Sequence, residues 1–259
     1  MRTDILDFHE FYGTPLGRIA GEFISERLTD AWSEIDGLAV AGFGYASPYL
    51  ALFNNAERVL SLSPGGQGVM RWPSEGPNAA GLVGEHEWPL PDASIDRCLI
   101  VHGLEEAPAP RSLMREVWRI LTDKGRVIIV VAHRQGLWSL LDTTPFAAGR
   151  PYHKRRLNTL LRESMFQPLQ WSTGLFFPPH GNRFLLRAAR AWERAGSRVW
   201  PALGGVLLVE ASKDLMSPAA LIRPRGERAF RPATVPAGAI SASSSQAPRR
   251  LAGDEDAPL

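Results

Sequence analysis

Cysteine is nearly absent: the 259-residue chain has one, Cys98. A single thiol closes no internal disulfide, which fits a reducing compartment. It lies in the apolar run Cys98-Leu99-Ile100-Val101, which marks it as a buried strand residue rather than a nucleophile. Charge of one sign is lacking too. Lys+Arg 29 against Asp+Glu 27 leaves a net +2, so there is no electrostatic case for nucleic acid or an acidic membrane as partner. No uninterrupted apolar run approaches the roughly 20 residues of a membrane span. Met1-Arg2-Thr3-Asp4 opens without the apolar stretch of a signal peptide, and the expected location is the cytoplasm. There is no Gly-Lys-Ser/Thr phosphate loop and no Gly-x-Ser-x-Gly elbow. The six histidines are scattered, without the ligand spacing of a zinc site, so no metal is expected.

What is present is an alternation of strand and helix signals. At this length, 44% hydrophobic content is enough to bury one sizeable core. Thr14 and Pro15 open a helix over residues 14–30, with Leu16, Ile19, Ala20, Phe23, Ile24 and Leu28 at helical spacing. Leu38-Ala39-Val40-Ala41 is a short buried strand that runs into Gly42-Phe43-Gly44-Tyr45-Ala46-Ser47-Pro48, and helix propensity resumes over Tyr49–Phe53. Arg58–Ser63 is a second strand, stopped by Pro64-Gly65-Gly66, and residues 64–81 show little periodicity. A third strand covers Asp96–Val101. An amphipathic helix over Arg111–Leu121 is ended by Lys124-Gly125, and Arg126–Ala132 is the strongest strand. The unbroken β-branched run of that strand predicts burial on both faces, as in a parallel sheet. Helices near 153–164 and 182–195 and a strand over Gly205–Ala211 complete the pattern. Such alternation predicts an α/β, doubly wound, mostly parallel sheet with its ligand at the carboxyl ends of the strands. The domain is expected over 1–213, and 214–259, rich in Pro, Ala, Ser and Arg, is expected to be a disordered tail.

Gly42-x-Gly44 sits at a strand-to-helix turn, where a residue without Cβ lets backbone approach a ligand. Alone, tight-turn chemistry explains it equally well. More telling is the run Trp88-Pro-Leu-Pro-Asp92-Ala-Ser-Ile-Asp96-Arg-Cys-Leu-Ile-Val-His102-Gly-Leu-Glu105, followed by Leu113-Met-Arg-Glu116-Val-Trp-Arg119-Ile-Leu-Thr-Asp-Lys-Gly125-Arg126. It resembles the class I S-adenosylmethionine (AdoMet)-dependent methyltransferases, in particular the type 11 group, closely over about residues 35–135 and more loosely to about 213. The resemblance implies a seven-stranded Rossmann-like methyltransferase fold with AdoMet as cofactor. It places the glycine loop on Gly42 to Ser47, including Gly44 and Ala46, around the methionine part of the cofactor. It places the ribose-binding end of the second strand at Ser61, an adenine-side acid at Glu85 or Glu87, and His102 at the border of the cofactor and substrate cleft. Tyr12 and Arg18 fall in the N-terminal region that often covers the cofactor. Two departures stand out. Val40 or Gly42, depending on register, replaces the acid that usually ends the first strand, and Ala46-Ser47-Pro48 replaces a later glycine. The neutral Ser61 would bond more weakly than a carboxylate.

Methyl transfer from a sulfonium needs alignment and exclusion of water more than a fixed catalytic residue, so none is assigned. A base is needed only for an acceptor protonated at working pH. The segment after the strongest strand supplies the substrate candidates His133, Arg134, Arg150 and Tyr152. Arg134 and Arg150 suit a carboxylate or phosphate, and His133 or His153 suits a base. Trp138, Trp171, Phe176 and Phe177 suit an apolar pocket or simply the core. The expected activity is methyl transfer to a small-molecule acceptor. The alternative is a methyltransferase-like fold kept as a binding or regulatory protein without turnover. A nicotinamide-dependent dehydrogenase is a distant third, because Gly-x-Gly lacks the final glycine and the acid.

Overall fold

The computed structural model describes residues 2–141 and 144–215. Its strands are β1 (Ala39–Gly44), β2 (Arg58–Pro64), β3 (Ala80–Val83), β4 (Ile95–Val101), β5 (Leu121–Ala132), β6 (Phe166–Gly174) and β7 (Val206–Lys213). They form one sheet in the order β3-β2-β1-β4-β5-β7-β6. Pairs among β1 to β5 are parallel, and β7 runs antiparallel to both β5 and β6. The helices are α1 (Ile5–Gly13), α2 (Pro15–Ala31), α3 (Ser47–Leu50), α4 (Pro110–Ile120), α5 (Lys154–Glu163), α6 (Arg183–Arg187) and α7 (Ala189–Val199).

The two-residue period of the strands sorts the core into two layers. Ala41, Phe43, Cys98, Ile100, Val127 and Ile129 pack with Leu113 and Val117 of α4 and Leu157 and Leu161 of α5. Their neighbours Val40, Leu99, Val101, Ile128 and Val130 pack on the other face with Phe23, Ile24 and Leu28 of α2 and Leu50 of α3. Both faces of the central strands are therefore covered, which is why they read as unbroken apolar runs. Cys98 is buried, and burial pushes its thiol well above the usual range. Among the described residues, no helix is long and apolar enough to cross a membrane.

Several elements differ from expectation. The chain passes from α4 straight into β5 at Leu121, so Lys124-Gly125 lies inside the strand rather than ending the helix. The β4–β5 register shifts between Ile95 and Arg97, and a Cβ on Gly125 would crowd the Thr122 carbonyl at 2.8 Å and Leu121 Cβ at 2.9 Å. A bulge of this kind needs the glycine. Edge strands β3 and β6 carried little signal: the former contains Gly81, and the latter places Pro168 where its pairing with β7 slips register. The helix expected over 182–195 divides at Ala188 into α6 and α7. Helix α1 was not anticipated. Asp4 caps it by accepting from the Leu6 N–H, and Thr14 begins α2 by accepting from the Gly17 N–H. The expectation of a disordered tail falls almost wholly on residues 216–259, outside the described residues.

Candidate functional site

The carboxyl ends of β1, β2 and β4 converge under α1. At the end of β1, Gly44 has φ +80°, and a Cβ there would run into the Val101 carbonyl and Gly103. Only glycine takes this left-handed turn against a neighbouring strand. Gly42 has a different role: a Cβ on it would meet Ala46 Cβ at 2.7 Å and Leu50 Cδ1 at 2.8 Å. Gly42 and Ala46 thus let α3 pack tightly behind the turn, and Ala46 is buried.

Strand β2 runs on to Pro64, so Ser61 is not its end. Ser61 pairs in register with Gly42, and its hydroxyl shares a 2.8 Å hydrogen bond with Ser47 Oγ. Two residues further along the same face, Ser63 occupies the carboxyl edge of the strand. Its hydroxyl is buried and has no partner within the described chain. In the turn that follows, the Gln67 side-chain amide is buried with both its nitrogen and its oxygen unpartnered among the described residues. Beyond β3, Glu85 faces the groove while Glu87 is exposed.

His102 directly follows β4 and lies in the left-handed region, at φ +49°. Its Nε2 lies 2.8 Å from the Tyr12 hydroxyl, and its Nδ1 lies 3.7 Å from Glu105 Oε1. Burial, reinforced by Tyr49, pushes the Tyr12 phenol well above the usual tyrosine range. The Tyr12 hydroxyl and Nε2 share this hydrogen bond, and Nδ1 is the ring nitrogen that faces Glu105. Glu105 is buried. Its Oε1 accepts from the Ala132 N–H at 2.8 Å, and its Oε2 has no partner among the described residues. The Phe8 and Phe146 rings each lie 4.9 Å from the imidazole.

The N-terminal segment closes over this arrangement. Arg2 grips Glu85 through Nε at 2.6 Å and Nη2 at 2.8 Å, and Nη2 also donates to the Gly103 carbonyl at 3.1 Å. Phe8 stacks on Tyr45 at 5.0 Å, within a small cluster of Ile5, Phe8 and Tyr45 flanked by Tyr12 and Met70. Beside it, a cavity of about 740 Å³ is lined by Tyr12, Tyr45, Ser47, Phe53, Met70 and Trp72. Arg18 is exposed on α2.

The substrate candidates lie along adjoining backbone after β5, where Tyr152 pairs with His133 and its carbonyl accepts from the Arg134 N–H at 3.0 Å. His133 is buried and its Nδ1 sits 2.9 Å from the Gly204 carbonyl; burial lowers its pKa. Arg134 and Arg150 are exposed. Tyr152 is buried, pairs with His133 in an isolated bridge, and lines a basic cavity of about 690 Å³ with His153, Arg111, Lys154 and Arg156. Trp138 belongs to the core, with its indole N–H donating to the Phe177 carbonyl at 2.8 Å. Sequence reasoning missed Arg2, Phe8, Ser63, Gln67 and Glu105. Asp4 followed by Ile5, Phe8 and Tyr12 was a readable helix signal, and a longer β2 would have exposed Ser63. Nothing local marked Gln67.

A mostly parallel seven-stranded sheet with a glycine turn at the end of its first strand and polar groups at the adjoining strand ends is the architecture of the class I methyltransferases. Residues 39–129 match the family model described as "Methyltransferase domain". From β1 into β5 the chain is thus similar to methyltransferase domains. "Uncharacterized protein YafS" of Escherichia coli (strain K12) is 30% identical over 130 residues, which cover 48% of this chain. The chain spans about half, 51%, of the length of that curated relative. In fold it is similar to a SAM-dependent methyltransferase from Archaeoglobus fulgidus, with TM-score 0.56 and 17% identity over 79% of this chain and 96% of that one. It is likewise similar to the S-adenosylmethionine-dependent methyltransferase from Mesorhizobium loti, with TM-score 0.52 and 19% identity over 72% and 96% of the two chains.

Proposed function

We propose that the chain is an AdoMet-dependent methyltransferase acting on a small-molecule acceptor, with its cofactor site at the carboxyl ends of β1, β2 and β4. The observation that carries this reading is the coincidence of the side-chain-free turn at Gly44 with buried, unpartnered polar groups at Ser63, Gln67 and Glu105. Buried polar atoms left without partners are costly, and a ligand that completes them repays that cost. These residues fit the cofactor. Gly44 offers backbone at close approach, the Ser63 hydroxyl and Gln67 amide suit ribose hydroxyls, and the Glu85 carboxylate suits the adenine amino edge.

The bound sulfonium supplies an already activated methyl group for in-line displacement. The protein's own part is to orient the acceptor and keep water out. Tyr45, Met70, Trp72 and Phe53 give the 740 Å³ cavity an apolar lining suited to a small acceptor. His102, with Glu105 facing its Nδ1, would take a proton at Nε2 from an acceptor that carries one once the Tyr12 hydroxyl leaves that nitrogen. Calorimetric titration with S-adenosylhomocysteine tests the reading. Binding to the native chain, lost in Gly44→Val, is expected. If neither the native chain nor variants of the N-terminal segment that covers the site bind at millimolar ligand, the reading fails. The neutral Ser61 and Ser63 favour a second reading, a cofactor-binding protein without turnover. Binding without methyl transfer to any acceptor in a cell extract would support that one instead.

A further inference from the structure

We infer that residues 2–12 form an internal strap that occupies the cofactor groove and must leave it before AdoMet enters; this rests on the methyltransferase reading above. The strap is tied to the segments that follow β2, β3 and β4. Arg2 takes up both oxygens of Glu85 beyond β3 and the Gly103 carbonyl beyond β4. Thr3 bonds Glu106 through its backbone N–H and its hydroxyl, both at 2.9 Å. The Ile5 N–H donates to the Gln67 carbonyl at 2.8 Å, in the turn after β2. Phe8 then fills the space between Tyr45 and His102, above the Gly44 turn. The planar cation of Arg2 thereby satisfies the carboxylate that would otherwise read adenine, and an apolar ring lies over the cradle.

The fit is incomplete, as expected of a stand-in. Among the described residues, Arg2 Nη1 is buried without a partner, and so are the Ser63 hydroxyl, the Gln67 amide and Glu105 Oε2. The strap therefore covers the site without completing it, so a ligand that does both has the advantage. A pivot is present. Thr14 is extended between α1 and α2, ending one helix and capping the next. Helix α1 has nine residues, too few to be stable alone, so it holds its shape only while docked. Release of α1 also withdraws the Tyr12 hydroxyl from His102 Nε2. Cofactor entry and exposure of the base are then one movement.

The test is the affinity of the full-length chain for S-adenosylhomocysteine, measured by calorimetry on native protein, Arg2→Ala and Phe8→Ala, each first checked for a cooperative melt. A closed strap lowers apparent affinity by the fraction of molecules that are open. Both variants should therefore bind about tenfold more tightly than the native chain. Equal or weaker binding in both overturns the strap and makes these side chains inert or part of the binding surface. Hydrogen exchange provides a second readout on the native chain: amides of Ile5–Tyr12 should exchange faster with ligand bound, and slower exchange refutes the proposal. If the native chain and both variants all fail to bind, the methyltransferase reading itself falls.

Discussion

Two buried glutamates on one stretch of chain end up in opposite circumstances. Glu116, on α4, has both oxygens engaged: Oε1 accepts from the Trp88 N–H at 2.7 Å, and Arg119 holds both oxygens. Burial works against its ionisation, but the Arg119 guanidinium and the Trp88 amide prevail and hold the carboxyl below its ordinary range. Arg119 reaches on to the Leu90 and Trp88 carbonyls and to Asp92, tying the loop before β4 to the helix after it. Unpaired atoms do remain nearby, at the Trp88 and Trp118 indoles and Arg97 Nε, but each is an N–H donor. At the strand ends, Glu105 has one oxygen bonded and one bare, and the Ser63 hydroxyl and Gln67 carbonyl are bare as well. A network whose acceptors are all taken holds a fold together. One with open acceptors is suited to meet something else.

The strongest way to break this contrast is at Gly44. A Val there must adopt φ near +80° with its side chain against the Val101 carbonyl, which should cost about 3 kcal/mol or more in urea unfolding. It should also abolish S-adenosylhomocysteine binding. Glu116→Ala should cost about 2 kcal/mol by leaving Arg119 and the Trp88 amide without their acceptor, while the S-adenosylhomocysteine affinity of the folded protein stays unchanged. A change in that affinity would show that the two regions are not separable. Ser63→Ala should act in the opposite sense. Removal of a buried, unpartnered hydroxyl should raise stability by about 1 kcal/mol and weaken S-adenosylhomocysteine binding by about fivefold. If stability falls instead, the hydroxyl has a structural partner.

The smallest effect concerns His133, which lies outside both regions. Burial lowers its pKa, with the Gly204 carbonyl opposing and His153 assisting. A depressed pKa means that the unfolded chain binds the proton more readily than the folded one. Its contribution is therefore full above the unfolded value of about 6.5 and is lost as pH falls from there through the folded pKa. Unfolding of His133→Gln, followed from pH 7 to 5, should show a flatter pH dependence than the native chain; an identical slope would remove His133 as a source of it.

Much of the fold was legible because its signals are local. The unbroken apolar run of the β5 core is explained by burial on both faces and the period of the amphipathic α4 by burial on one, and the run from Trp88 to Gly125 carried the methyltransferase resemblance. Legibility failed where geometry depends on partners distant in the chain. Edge strands β3 and β6 have weak propensity and form because β2 and β7 offer hydrogen-bonding edges. Ser61 and Ser63 look alike in sequence, and only the length of β2 shows which one reaches the edge. Glu85 and Glu87 were likewise indistinguishable until Arg2, 83 residues away, met one of them.

By itself, then, the sequence determined the layered sheet, its central parallel strands and the glycine turn, because periodicity and Cβ sterics act between near neighbours. Only the tertiary structure decided what lies over that turn. The closure of Arg2 and Phe8 on Glu85, Tyr45 and His102 joins four separate stretches of chain through ion pairing and ring packing. No local pattern encodes such contacts, because each residue's partner is supplied by the fold.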